Sequence, residues 1–115
     1  MTFSANRNSK VILFELYFVI YMRHASCNEL NSVSDLIDRI RTVEGISERS
    51  PCHFYFKNRG ILHFHLDSGL LYADVEDQRI DLGKLSDPDM KKVELVFSTV
   101  VKIITESRVK KVFER

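Results

Sequence analysis

Two histidines, His63 and His65, stand two residues apart in a run where they alternate with Leu62, Phe64 and Leu66. Side chains of a strand point to opposite faces in turn. The spacing therefore sends both imidazoles to one side, about 7 Å apart at the backbone. Two such groups can share one divalent metal such as zinc, with Asp74 or His53 as third ligand and a position left for water. Water held there could be activated for hydrolysis. Without a metal, His63 could act as a general base oriented by Asp74, with Tyr55 as proton donor. Histidine titrates near neutrality, so that role needs no unusual environment. His65, between His53 and Tyr72, is the second candidate base. The plainer alternative is that these are cross-strand polar pairs that stabilise a half-exposed sheet.

The same face could instead bind. His53, His65, Tyr72 and Lys57 are candidate ligand-binding residues, and with Arg59 they interleave aromatic and basic groups in a way that could stack bases or contact phosphates. No RNP-type motif is present and the net charge is only +1, which argues against nucleic acid. A protein partner or a second copy of the chain is the other occupant such a rim suits.

These residues share a face only if three short strands pair in one register. His53, Tyr55 and Lys57 alternate with Cys52, Phe54 and Phe56, and Tyr72 and Asp74 alternate with Leu71, Ala73 and Val75. A three-residue loop at Asn58-Arg59-Gly60 would set Tyr55 against His63 and His53 against His65. A two-residue turn at Ser68-Gly69 would set His65 against Tyr72 and His63 against Asp74. The opposite side then becomes continuous apolar surface, and a slip of one residue would break it.

Flanking segments supply the cover. Ser32 is placed as an N-cap with Asp35 in a capping-box position, and Val33, Leu36, Ile37, Ile40 and Val43 mark an amphipathic helix stopped by Gly45. Ile46 to Ser50 leads in toward Pro51, and Arg79 to Leu82 suits a short fourth strand. Asp87-Pro88 reads as a helix start. Beyond it Met90, Val93, Phe97, Val100, Val101 and Ile104, widened by Val96 and Ile103, form a buried stripe, and Glu106 to Arg115 extends that helix or frays. The expected fold class is α+β: an antiparallel three- to four-stranded meander with two helices on one face, in the order α-β-β-β-(β)-α.

At 115 residues, 44% hydrophobic and 29% charged, the composition is that of one small globular domain. Residues 28–115 are expected to form that domain, with 1–27 as a dispensable N-terminal extension. Val11 to Met22 is apolar apart from Glu15, so it resembles the hydrophobic region of a signal peptide, ahead of Ala25-Ser26-Cys27. Glu15 within the run and Arg23-His24 after it argue against that, and the run is short of the roughly 20 residues that cross a bilayer. It is read instead as an added strand or helix, or as sequence ahead of a true start at Met22. Cys27 and Cys52 form no metal-type pair or disulfide framework. Cys52 is expected to be a buried, inert thiol, and the setting to be cytoplasmic, without a membrane.

Gly45, Ile46, Glu48 and Arg49, followed by a Phe-Tyr strand, the Leu-His-Phe-His run at 62–65 and Ala73-Asp74-Val75, resemble a group of small bacterial α+β domains without an assigned activity. That resemblance implies that His63, His65 and Asp74 are the group's marks. More distantly, the element order is similar to that of HicA-type toxin ribonucleases on a double-stranded-RNA-binding fold. This resemblance would give His53 the place of their catalytic histidine, but Pro51-Cys52 stands where that family has Gly-Ser. The expectation is a small domain whose His/Asp/Tyr face serves binding or assembly, the alternative being a metal-dependent or acid–base hydrolase.

Overall fold

The computed structural model describes residues 22–113. Seven strands form one antiparallel sheet: β1 (Arg23–His24), β2 (Ile46–Ser50), β3 (His53–Phe56), β4 (Arg59–Asp67), β5 (Leu70–Val75), β6 (Gln78–Lys84) and β7 (Asp87–Pro88). From β2 to β7 they lie side by side in chain order, and β1 pairs with β4. Two helices, α1 (Ser34–Arg41) and α2 (Met90–Phe113), complete an α+β fold. Most of the expected run Val11 to Met22, and the last two residues, lie outside the described residues.

The apolar side forms as the alternation requires. Phe54, Phe56, Leu62, Phe64, Leu66, Leu71, Ala73 and Val75 join Leu36, Ile37 and Ile40 of α1 and Val93, Val96, Val100 and Ile104 of α2 in one buried core. Arg39 of α1 reaches across to α2, where it pairs with Glu94 and lies over the Phe97 ring at 4.0 Å.

The meander is longer than the sequence suggested. Ile46 to Ser50, read as a lead-in, is a strand on the edge of the sheet. Asp87-Pro88, read as a helix start, is a two-residue strand on the other edge, and Asp89 caps α2 by accepting hydrogen bonds from the amides of Lys91 (3.0 Å) and Lys92 (3.3 Å). Ser32 does not cap α1; it lies in a 3-10 turn, Asn31–Val33, that precedes the helix. Gly45 stands where expected after α1, at φ +94°, and a Cβ there would lie 2.9 Å from the Phe56 ring.

Register differs between the two hairpins. β4 and β5 pair as the alternation implies, with His63 opposite Asp74 and His65 opposite Tyr72, around a Ser68-Gly69 turn in which both residues have positive φ. β3 and β4 are joined instead by a two-residue turn at Lys57-Asn58, at φ +52° and +66°. This sets Tyr55 opposite Gly60, not His63. A bulge then shifts the register so that Phe54 meets Leu62. Ile61 and Leu62 are both buried. The extra residue restores the alternation, which is why the oily face stays continuous despite the different loop.

The segment ahead of residue 28 contributes to the sheet. β5 occupies one edge of β4 from Leu62 to Asp67, so β1 takes the other edge where β3 ends, with His24 opposite His65 and Arg23 opposite Leu66. The Ala25 amide donates to the Phe64 carbonyl at 2.9 Å, and the Ala25 side chain is buried.

Cys27 and Cys52 are joined in a disulfide, with Cα atoms 5.4 Å apart. Cys52 is buried as its place on the apolar side implies, but it is not a free thiol. The bond links the residue just before β3 to the turn just after β1. It joins the two short strands that share one edge of β4.

Candidate metal centre

The four histidines of the chain meet on the sheet face opposite the helices. His63 and His65 stand on β4, their ring centroids 5.0 Å apart. β1 brings His24 to 4.3 Å from His65 and 5.3 Å from His63. His53, the first residue of β3, stacks on His63 at 5.9 Å and lies 5.3 Å from His24. Among the described residues, ring nitrogens of His24, His63 and His65 come within 4.8 Å of one another.

Asp74 lies beneath this group and is the one buried charged residue among those described. Arg79, which faces it from β6, grips both carboxylate oxygens: Nε donates to Oδ1 at 2.7 Å and Nη2 to Oδ2 at 2.9 Å. The same Oδ2 lies 2.8 Å from Nδ1 of His65 and 3.4 Å from Nε2 of His63. The His65 contact is close but poorly aligned, so this solvent-inaccessible nitrogen has no well-directed hydrogen bond. On its far side Arg79 reaches the Met22 thioether at 3.5 Å.

This arrangement biases the protonation of His63, His65 and Asp74. Burial disfavours protonation of His63 and holds its pKa below the ordinary histidine value, against the opposing pull of Asp74. His65 is lowered by burial in the same way. Burial raises the Asp74 carboxyl, but the hydrogen bonds and charge of Arg79, helped by the two histidines, outweigh it, and the net pKa is below the usual carboxylate range. Asp74 thus has its counter-charge in Arg79 and does not require a protonated histidine. Neutral imidazoles are the form that ligates metals.

Three histidine nitrogens are a donor set that suits zinc and neighbouring transition metals. Tetrahedral coordination at about 2.0–2.1 Å would set the nitrogens about 3.4 Å apart, closer than the 4.8 Å within which they lie. His65 presents Nδ1 to Asp74, which favours the tautomer with Nδ1 protonated and leaves Nε2 as the ligating atom. A carboxylate behind a ligating histidine is the usual outer-shell partner of such sites. Were a metal bound, Asp74 could stand behind His65 as such a partner, a different role from the direct ligand that the sequence suggests.

The other candidate residues fall outside the cluster. Tyr55 lies opposite Gly60 with its ring under the Arg49 guanidinium at 4.4 Å, because the tight turn displaced it from His63. Lys57 is in that turn, out of the strand alternation, and its Nζ lies 5.4 Å from the centroid of the Phe56 ring. It lines a cavity with Arg59, Glu76, Ile103 and Lys110 beside α2. Tyr72 keeps its expected place opposite His65, with Arg79 5.8 Å from its ring. The sequence did not single out His24. Its strand is too short to show alternation, and only the cysteine pairing would have placed it beside His53.

Around the disulfide lies a second polar group. Glu48 accepts hydrogen bonds from Nε and Nη2 of Arg41 at 2.8 and 2.9 Å and from the Cys52 amide at 2.7 Å. The hydrogen bonds of Arg41 lead those of Cys52 in lowering the Glu48 pKa against burial. The amide bond holds Cys52 at φ +61°, a conformation that disfavours side chains. Arg41 Nη2 lies 3.9 Å from Cys27 Sγ. Near the chain start, Arg23 donates to both oxygens of Glu29 at 2.9 and 2.7 Å. These bonds, ahead of that from the Ser26 amide, lower the Glu29 pKa to about 2.

Among the described residues no helix is long and apolar enough to cross a membrane. No protein-family model matches the chain, and no curated protein or solved structure is found similar to it, so the two resemblances noted above gain no support from outside the sequence.

Proposed function

We propose that this protein binds a divalent transition metal such as zinc through His24, His63 and His65. The observation that carries the reading is the convergence of three imidazole nitrogens from two strands within 4.8 Å. Burial keeps two of the rings neutral, and an Arg79-anchored carboxylate backs them. A stacked histidine pair gains nothing from a third ring on a separate strand, whereas a metal gains a third ligand from it.

Binding is favoured over catalysis by the surroundings. The cavities beside α2 are lined by Lys57, Arg59 and Glu106 or by Phe97, Val101 and Thr105, and those between the helices by Asn31, Arg39 and Glu94, without a histidine. Substrate chemistry favours a concave site, and a histidine lines none of these cavities. A metal-dependent hydrolase is the second reading. His24 is exposed and His63 keeps a third of its side chain in solvent, so a three-ligand site would have a fourth position open to water, with His53 beside it. The disulfide favours an oxidising compartment over the cytoplasmic setting expected from the sequence.

Titration of the chelator-stripped full chain with zinc, read by competition with a chromophoric chelator, tests the reading. One equivalent should bind, and His24→Ala, His63→Ala and His65→Ala should each weaken binding by about tenfold or more, as loss of even an outer-shell partner does. Absence of binding by the wild type, or three variants that bind as it does, would sink the proposal.

A further inference from the structure

We infer that the Cys27–Cys52 disulfide switches metal binding, because it holds His24 among the other two ligands. The inference rests on the three-histidine reading and assigns its regulation. His63 and His65 belong to β4, which is bonded along its length by β3 and β5. His24 belongs to a strand of two residues, both exposed, whose ladder is extended by one further bond from Ala25 to Phe64. So short a strand does not hold itself to a sheet. The nearby Arg23–Glu29 pair is largely solvated, and exposed ion pairs add little.

Beyond these contacts and the buried Ala25 side chain, the strongest tie of this segment to the sheet is the covalent bond from Cys27, just after β1, to Cys52, beside His53. In the oxidised chain β1 lies against β4 and three imidazoles face one another. In the dithiol chain β1 is free to leave the edge of β4 and takes His24 with it. Two histidines on one strand remain, and a divalent metal is then held by a pair.

The covalent step is thiol–disulfide exchange with a low-molecular-weight disulfide. One cysteine thiolate attacks a sulfur of that disulfide and expels the first small thiolate. The other cysteine then attacks the protein-bound sulfur of the mixed disulfide and expels the second. Two electrons and two protons leave the protein in two small thiols, and a dithiol reductant reverses the sequence. Cys27 is only partly buried, so an incoming thiolate can reach it, whereas Cys52 is enclosed. Zinc binding at the histidine cluster would therefore be tight in oxidising surroundings and weakened where dithiols prevail.

Zinc affinity of the full chain tests this in four forms: oxidised wild type, Cys27→Ser/Cys52→Ser, His24→Ala, and the combination of all three substitutions. The serine variant is used because reduced Cys27 and Cys52, beside Glu48, are themselves a metal-type set. The serine variant should lose about 10- to 100-fold in affinity, His24→Ala should lose as much, and the combined variant should lose no more than either. Such non-additivity marks one shared cause. If the oxidised wild type binds zinc and the serine variant binds it equally well, or if the losses add, the switch is wrong while the metal site stands. Failure of the oxidised wild type to bind zinc removes both. Should the serine variant not fold, hydrogen exchange of the phosphine-reduced wild type decides. Loss of protection at the Ala25 amide with β4 and β5 still protected supports the switch, and retained protection at Ala25 overturns it.

Discussion

His24 and His65 face each other across a strand pair only two residues long, with ring centroids 4.3 Å apart. The other ring contacts run from His24 to His63, between His63 and His65 within β4, and from His53 at the start of β3 to His24 and His63. The His24–His65 pair joins the part of the site that β3 and β5 hold firmly to a part held by a two-residue ladder, one further bond from Ala25 and a disulfide.

Removal of that bond should be costly in its own right. Cys27 and Cys52 are 25 residues apart in sequence. Closing a loop of that size is worth about 3 kcal/mol through the unfolded chain. Urea unfolding of Cys27→Ser/Cys52→Ser should show a lower midpoint by that order, and an unchanged midpoint would mean the bond does not constrain the fold.

Truncation on the two faces of β4 should differ in scale. His63→Ala removes a ring that keeps a third of its surface in water, so we expect a loss within about 1 kcal/mol in metal-free protein. Phe64→Ala empties the core and should cost about 3–5 kcal/mol. Comparable losses at the two sites would show His63 to be a structural residue.

Arg79→Ala should weaken both fold and site. It strips the counter-charge from a buried carboxylate, and because Arg79 is itself partly solvated the cost should be modest, about 1–2 kcal/mol. Asp74→Asn keeps the shape but not the charge behind His65, and zinc affinity should fall by about tenfold. Calorimetric titration separates the two effects, and an Asp74→Asn protein that binds zinc normally would deny Asp74 its orienting role.

Acid should destabilise the metal-free protein in two stages. His63 and His65 have folded pKa values below that of the unfolded chain, so the unfolded state takes up protons first as pH drops. Their contribution is fully present above about pH 6.5 and is lost as the pH falls through their folded values. Asp74 follows the same sign, with its contribution present above about pH 4 and lost below it. Thermal melts between pH 8 and 3 should show both declines, and His63→Gln/His65→Gln should flatten the upper one alone.

Gly45→Ala should destabilise by roughly 1–3 kcal/mol, because it places a Cβ at φ +94° and against the Phe56 ring. Equilibrium unfolding of this variant checks the link between the end of α1 and β3.

The sequence disclosed the site in proportion to how local its determinants are. Strict alternation through β4 and β5 and a glycine in the Ser68-Gly69 turn leave one register that keeps the oil together, and the pairing of His63 with Asp74 follows from it. The β3–β4 hairpin was misjudged because Gly60 looked like the residue with positive φ, whereas Lys57 and Asn58 take that conformation. A bulge at Ile61 then compensated, and its one mark in the sequence is the adjacent apolar pair Ile61-Leu62. His24 and the disulfide were hidden for another reason. Their partners are remote in the chain, and neither a two-residue strand nor two lone cysteines carry a pattern that names a distant neighbour.

The place of β1 also sets an order of events. Hairpins such as β4–β5 close locally within microseconds. β1 has no edge to join until β4 has formed and β3 has ended short of His65, and it must close a far longer loop to arrive. The histidine cluster is thus expected to close only after β4 has formed. A newly made chain would carry its hydrophobic core, and two of its histidines in register, before it could hold a third beside them.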